Sequence, residues 1–197
     1  MRRFCGRGYG LRPMSAYPDH LTTDRLIAQR PDAARDLDGY APILGDPRVG
    51  DPLFPAQFGG ARTREQTQAW LERMAAHWAT FGFGPWIVRE RDGGALVGEV
   101  GLGHTILSGV AEVEVGAVVD ADRWGRGYAA ELVDAALEHA AGLNGLRSVV
   151  AFCEPVNARA IALLRRCGFA FEEDIAFHGL DCVVYRAATG PRSARPA

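Results

Sequence analysis

The strongest constraint on this chain is a change of period within residues 110–141. From 110 to 119 the β-branched residues alternate in the manner of a strand, and from 127 to 141 the apolar residues recur at helical spacing. Ala129, Leu132, Val133, Ala136, Leu137 and Ala140 share one helical face, while Glu131, Asp134 and Glu138 take the other. Trp124-Gly125-Arg126-Gly127-Tyr128-Ala129 joins the two periods. A strand, a glycine turn and a helix start together make an anion site: first-turn N–H groups have no partner within the helix and sit at the positive end of its dipole. Gly125 and Gly127 let a phosphate approach the backbone, and Arg126 adds a guanidinium whose fork suits phosphate. The plainer reading of the same glycines is a tight loop closing a strand-helix unit. The turn lacks the Gly-Lys-Ser/Thr ending of a P-loop, and its strand does not open a dinucleotide-binding unit.

The remaining segments give a mixed α/β order without internal repeats. Residues 26–30 read as a short strand, and Asp32 caps a helix carrying Ala33, Leu37, Tyr40 and Leu44 at helical spacing. Pro47 ends that unit. Residues 47–62, rich in Gly, Pro and Phe, read as a long binding loop or lid, with a surface insertion as the alternative. Thr63 with Gln66 forms a capping box ahead of a helix bearing Trp70, Met74, His77, Trp78 and Phe81 on one face. Residues 86–89, 95–102 and 110–119 form an antiparallel meander, 149–153 a buried strand, and Asn157 opens a helix that stops at Gly168. Two strands then flank a turn at His178 and Gly179. Residues 1–20 and 189–197 lack periodicity and read as mobile ends around one domain at 21–188.

Composition narrows the chemistry. The four cysteines have no Cys-x-x-Cys spacing and no companion histidines, so neither zinc nor a disulfide framework is indicated. All 22 basic residues are arginine, which removes Schiff-base chemistry on lysine. A net charge of -2 supplies no field for a nucleic-acid backbone, although Arg2, Arg3, Arg7 and Arg12 gather at one end. No apolar run is long enough to span a membrane or to act as a secretory signal, and a cytoplasmic location is expected.

The 124–129 segment resembles the pyrophosphate loop Gln/Arg-x-x-Gly-x-Gly/Ala of the Gly-rich-loop N-acetyltransferase superfamily, GNAT, departing from it at Trp124. It is similar to the branch that acetylates ribosomal-protein N-terminal residues. Leu21-Thr22-Thr23-Asp24-Arg25-Leu26, Val97-Gly98 with Gly101-Leu102, Glu114-Val115-Gly116, and Asn157 through Gly168-Phe169 match that branch in order. The resemblance implies an α/β fold with a twisted, mostly antiparallel sheet of about seven strands, containing a parallel splayed pair and flanked by about four helices. It implies acetyl-CoA as co-substrate, no metal, and a primary amine as acceptor, either a peptide N-terminus or a small molecule. A homodimer is compatible with it. The backbone of Val118 and Val119 would bond the pantetheine, Trp124 to Ala129 the diphosphate, and Asn157 the pantetheine from its other side. Ala160 and Leu164 stand where some relatives carry a Ser or Tyr that protonates the departing thiolate, and Tyr185 and His178 are the substitutes considered.

An amine attacks a thioester only when neutral, so a proton acceptor is needed. Glu112 and Glu114 alternate along one strand and share a face, with the alternative that both are solvent-side carboxylates. The resemblance favours Glu114. The backbone N–H of Val118 is the simplest oxyanion donor. Phe54, Phe58, Trp78, Phe81, Phe83 and Trp86 are read mostly as core, with some walling the acceptor site, and His77 and His104 as structural. Without a Ser or Tyr acid, a non-catalytic acyl-CoA binding or sensor module is the rival reading.

Overall fold

A computed structural model describes residues 17–143 and 145–190. Eight strands form a single sheet in the order β1-β2-β3-β4-β5-β6-β8-β7, antiparallel throughout except where β5 meets β6. The strands are β1 (His20–Thr22), β2 (Leu26–Gln29), β3 (Pro85–Glu90), β4 (Leu96–Leu107), β5 (Val110–Val119), β6 (Ser148–Cys153), β7 (Ala170–Phe177) and β8 (Leu180–Ala188). The helices are α1 (Ala33–Gly45), α2 (Pro47–Leu53), α3 (Arg64–Phe81), α4 (Tyr128–Ala140) and α5 (Ala158–Arg166). This is the fold class the resemblance implied, with one further strand and one further helix.

Adjacent strand residues point to opposite faces, so neighbouring positions feed different halves of the core. On β3, Ile87 packs with Tyr40, Leu44, Leu71 and Met74 of α1 and α3. Its neighbour Val88 joins Leu132, Val133, Ala136 and Leu137 of α4. The capping box expected before α3 is present, with the Thr63 and Gln66 side chains bonding one another's backbone N–H groups. Among the described residues, Asp36 and Glu99 are the two buried carboxylates. Asp36 is fixed by Arg35 at 2.8 Å and Arg89 at 2.9 Å, a pairing that ties α1 to β3. His77 holds the Phe83 carbonyl through Nδ1 at 2.8 Å and accepts the His104 N–H through Nε2 at 3.2 Å. Those contacts require a neutral ring, and burial pushes its pKa down accordingly.

Two expectations need correction. Residues 47–62 are not a loop throughout: Asp46 accepts the Arg48 N–H, and Pro47 begins α2 instead of only ending α1. Proline suits a first helical position because its missing N–H would have no partner there. A single 3-10 turn, Ala56–Phe58, follows α2. The boundary expected at residue 20 also lies inside packed chain. Tyr17 is 2% exposed and stacks on Trp86 at 4.4 Å, while the Trp86 indole donates to the Pro18 carbonyl at 2.9 Å. At the other end, Thr189 and Gly190 bond to the backbone of Arg147, Leu146 and Leu137. Residues 1–16 and 191–197, also expected to be mobile, lie outside the described residues.

The packing of Tyr17 generates a prediction: Tyr17→Ala costs about 3–5 kcal/mol, the usual range for emptying a buried aromatic site. Urea unfolding measures it, and a loss below about 1 kcal/mol would show that this residue does not belong to the core.

Candidate active site

The site begins where β5 and β6 part. As parallel neighbours they pair at Glu114 and Val150 alone, whereas β4 and β5 stay in register from Gly98 opposite Val119 to Leu107 opposite Val110. Beyond Glu114 the β6-facing backbone of β5 has no strand partner, and buried backbone groups must find one elsewhere. A cavity of about 750 Å³ occupies the opening. It is lined by β4, β5, β6, the 124–130 segment, α5 and the chain of α2 with its following turn.

At one end of the cavity the glycine turn delivers α4. Gly125 and Gly127 have φ of 77° and 79°, a left-handed conformation that favours glycine, and a Cβ added at Gly125 would meet nothing within 4 Å. Gly127 is the N-cap of α4 and offers no side-chain cap. The first-turn N–H groups of a thirteen-residue helix therefore face outward at its positive end, as an anion requires. Arg25 braces the loop by donating to the Arg126 carbonyl at 2.8 Å and to Glu131 at 2.5 Å. Trp124 donates its indole N–H to the Val119 carbonyl at 2.8 Å, and Arg159 of α5 lies over its ring at 3.4 Å.

Most of the residues named for the cofactor come together here. Val118, Val119, Trp124, Gly125, Gly127, Tyr128, Ala129 and Asn157 all line the cavity. Asn157 also caps α5, accepting the Ala160 N–H at 3.0 Å, so it performs the plain structural task as well. Arg126 is the exception: it does not line the cavity, and its guanidinium sits 3.5 Å from Glu90. Arg123, one residue before Trp124, lines the cavity and has a buried Nε without a hydrogen-bond partner among the described residues. It brings a guanidinium to the end of the loop where the family motif has its first Gln or Arg.

The two candidate bases separate. Glu112 does not line the cavity, because Arg186 grips it with two bonds of 2.8 and 3.2 Å and holds Glu172 with the same guanidinium. With both carboxylate oxygens bonded to Arg186 and no place in the cavity wall, Glu112 does not meet a bound acceptor, and it is withdrawn as a catalytic candidate. Glu114 lines the cavity, half-buried beside Gly103, and burial pushes its pKa up to about 7. Tyr185 and His178 do not line the cavity; the Tyr185 hydroxyl faces Arg165 at 3.4 Å. Phe54 and Phe58 wall the cavity, Trp78, Phe83 and Trp86 are core, and Phe81 is half-exposed.

Sequence reasoning missed Glu99. It lies on β4 opposite Val118, is 7% exposed, lines the cavity, and accepts the Trp70 indole N–H at 2.8 Å. The available signal was a lone carboxylate within the otherwise apolar run 95–102, since a charge buried in such a strand needs a reason.

This fold and cleft define an acyl-coenzyme A transferase site: parted strands for an extended arm, and an uncapped helix start for a diphosphate. The family profile described as an acetyltransferase (GNAT) domain matches residues 25–170. The chain therefore belongs to the GNAT acetyltransferase family, and it is an acetyl-CoA-dependent N-acetyltransferase. The uncharacterized Bacillus subtilis protein YkkB is 22% identical over 165 residues, 84% of this chain and 93% of that protein. An acetyltransferase from Agrobacterium tumefaciens superposes with a TM-score of 0.68 at 27% identity, covering 85% of this chain and 93% of that one. RimL, a ribosomal L7/L12 α-N-protein acetyltransferase in complex with coenzyme A, superposes with a TM-score of 0.62 at 15% identity, covering 86% and 97%. Among the described residues no cluster of His, Cys, Asp or Glu fits a metal ion, and no helix is long and apolar enough to cross a membrane.

The Glu114 environment has a cost that can be measured. Its folded pKa, about 7, lies above the ordinary 4.5, so its favourable contribution is complete below about 4.5 and is lost as pH rises through about 7. Relative to wild type, Glu114→Gln is expected to gain on the order of 3 kcal/mol between about pH 4 and pH 8. Denaturant unfolding at the two pH values checks this, and a difference independent of pH would contradict it.

Proposed function

We propose that the protein transfers the acetyl group of acetyl-CoA directly to a primary amine, with Glu114 as the proton acceptor. The observation that carries this reading is a carboxylate without a cationic partner, inside the coenzyme cavity, with its pKa brought to about 7 by burial. A base poised near the working pH is what deprotonating an ammonium calls for.

Acetyl-CoA supplies an activated thioester. The chain supplies the rest. The first turn of α4 with Gly125 and Gly127 holds the diphosphate, and the free edge of β5, where the backbone of Ala117 and Val119 faces the gap, holds the pantetheine arm. Arg159 and Arg166 add positive charge at the mouth, whereas Arg123 is ion-paired with Asp120. A gap-facing backbone N–H of β5, that of Val119, meets the carbonyl oxygen as negative charge develops there. The Val118 N–H expected for this role is turned to Glu99 in the ladder with β4, because the Asp120 N–H bond to the Val97 carbonyl fixes the alternation. Glu114 precedes Val118 by four residues, about 13 Å at the strand rise, so the amine proton reaches it along a chain of waters in the cavity and not by direct contact. Ala160 and Leu164 add no hydroxyl to the cavity, and the departing thiolate is acidic enough to leave with a proton from solvent. A peptide α-amine, the acceptor type named for RimL, and a small-molecule amine both satisfy this chemistry.

The test is thiol release from acetyl-CoA across a panel of peptides and small amines, followed by a pH–rate profile with the best acceptor. The expected kcat/KM rises with pH below about 7, and Glu114→Gln lowers it by about 10²–10³ and removes that limb, with acetyl-CoA affinity retained. Thiol release no faster than hydrolysis for every amine would sink the catalytic reading and leave a coenzyme-binding module. An unaltered profile in Glu114→Gln would remove Glu114 alone.

A further inference from the structure

The two buried carboxylates of the described chain are treated very differently. Asp36 has two guanidinium partners. Glu99 is also buried, yet no arginine or histidine lies within ion-pair distance of it among the described residues; its bond from Trp70 comes from a neutral donor. The Tyr40 hydroxyl, also neutral and fully buried, lies against it. Leaving a carboxylate buried without a cation costs several kcal/mol, and burial accordingly pushes the Glu99 pKa up; a cation brought beside it favours the ionised form that the chain's own residues leave without a counter-charge. Of the four arginines lining the cavity, Arg48 is held by Asp46 and Asp122, Arg123 by Asp120, and Arg159 lies over Trp124; none of the four, Arg166 included, forms an ion pair with Glu99.

Unlike Asp36, Glu99 opens on the cavity, and its register partner across the ladder is Val118, the residue before the gap-facing Val119 backbone proposed to meet the thioester. The wall beside it is apolar: Pro52, Leu53, Phe54 and Phe58 from α2 and the following turn, with Trp70 from α3. Phe54 and Trp70 meet edge to face at 5.1 Å, so this wall is a packed aromatic surface. The missing counter-charge and the apolar wall describe complementary halves of one ligand.

We propose that Glu99 is the docking group for the acceptor's ammonium, and that the acceptor is a small primary amine whose positive head is attached to an apolar or aromatic body. This rests on the acetyl-transfer reading for the identity of the cavity, and it adds the substrate class. The incoming ammonium supplies the counter-charge that the chain withholds from Glu99, at the position facing Val118. Its carbon body lies against Phe54, Phe58 and Trp70. A polycation gains little here, because its further charges would lie against the apolar wall beside Glu99, while the cavity's other carboxylates, Glu114 and Glu154, lie on β5 and just beyond the end of β6. Glu99 thereby positions the amine, and Glu114 receives its proton.

The test separates docking from chemistry by using coenzyme A, which carries no acetyl group. The protein is saturated with coenzyme A and titrated calorimetrically at neutral pH with 2-phenylethylamine, with its neutral isostere 2-phenylethanol, and with spermidine. The wild type is expected to bind 2-phenylethylamine at least about ten-fold tighter than the alcohol, and tighter than spermidine. In Glu99→Gln, which keeps an acceptor for the Trp70 indole, that preference falls to about two-fold or less while coenzyme A affinity is unchanged. Equal binding of amine and alcohol to the wild type, no binding of either at millimolar levels, or a preference that survives in Glu99→Gln each overturns the assignment. Tighter binding of spermidine overturns the apolar-body class. Because the wild-type comparison needs no variant, it stands even if Glu99→Gln folds poorly. Docking as described without thiol release from acetyl-CoA would retain Glu99 as a cation site and reject acetyl transfer.

Discussion

The structure depends on one broken pairing. β5 keeps a full ladder with β4 and touches its parallel neighbour β6 at a single register position, Glu114 opposite Val150. A sheet that opens in its middle exposes backbone donors and acceptors that would otherwise be paired, at a cost comparable to the lost hydrogen bonds. The opening is tolerable because the two halves are held separately: α4 and α5 brace β4, β5 and β6 from one side, while α1 and α3 pack on β3 and β4 from the other. An extended amide-bearing ligand such as pantetheine restores what the missing strand would have supplied. The functional cleft is thus a vacancy in the secondary structure itself.

The same region stores further unfavourable terms, and each points at a ligand. α4 starts without a side-chain cap, Glu114 is buried enough to hold its proton near neutrality, and Glu99 is buried without a cation. Elsewhere the chain satisfies equivalent groups with its own residues. Thr63 and Gln66 cap α3, Asp32 caps α1, and Arg35 and Arg89 neutralise Asp36. Within the cavity Asn157 completes the start of α5, while the start of α4, Glu114 and Glu99 are left open. Stability surrendered at a site in exchange for activity is a general pattern.

Much of this was legible in the sequence, for identifiable physical reasons. The strand-to-helix change of period around 124–129 is written in two strong local patterns, and the glycines in it have a single conformational use. Asn157 could be placed because a capping residue before an apolar helical run is local information. What escaped was either masked or long-range. Pro47 looked like the end of a helix because proline stops one as readily as it starts the next, and that hid α2, which carries the apolar wall. Glu112 and Glu114 are equivalent by alternation along β5. Arg186, distant in sequence on β8, distinguishes them by claiming the first and leaving the second. Arg126 likewise fitted the loop by spacing, yet Glu90 draws its side chain away from the cavity. Tyr17 could not be assigned to the core because its partner Trp86 lies far along the chain.

The central claim is that the gap between β5 and β6, closed at one end by the start of α4, receives a coenzyme through both its arm and its diphosphate. Calorimetric titration with coenzyme A and, separately, with pantetheine tests it most directly, because pantetheine keeps the arm and lacks the phosphates. The account predicts saturable binding of coenzyme A, weakened by about 100-fold or more when the diphosphate is absent. Equal affinity for the two ligands, or no association of coenzyme A at millimolar concentration, would contradict it.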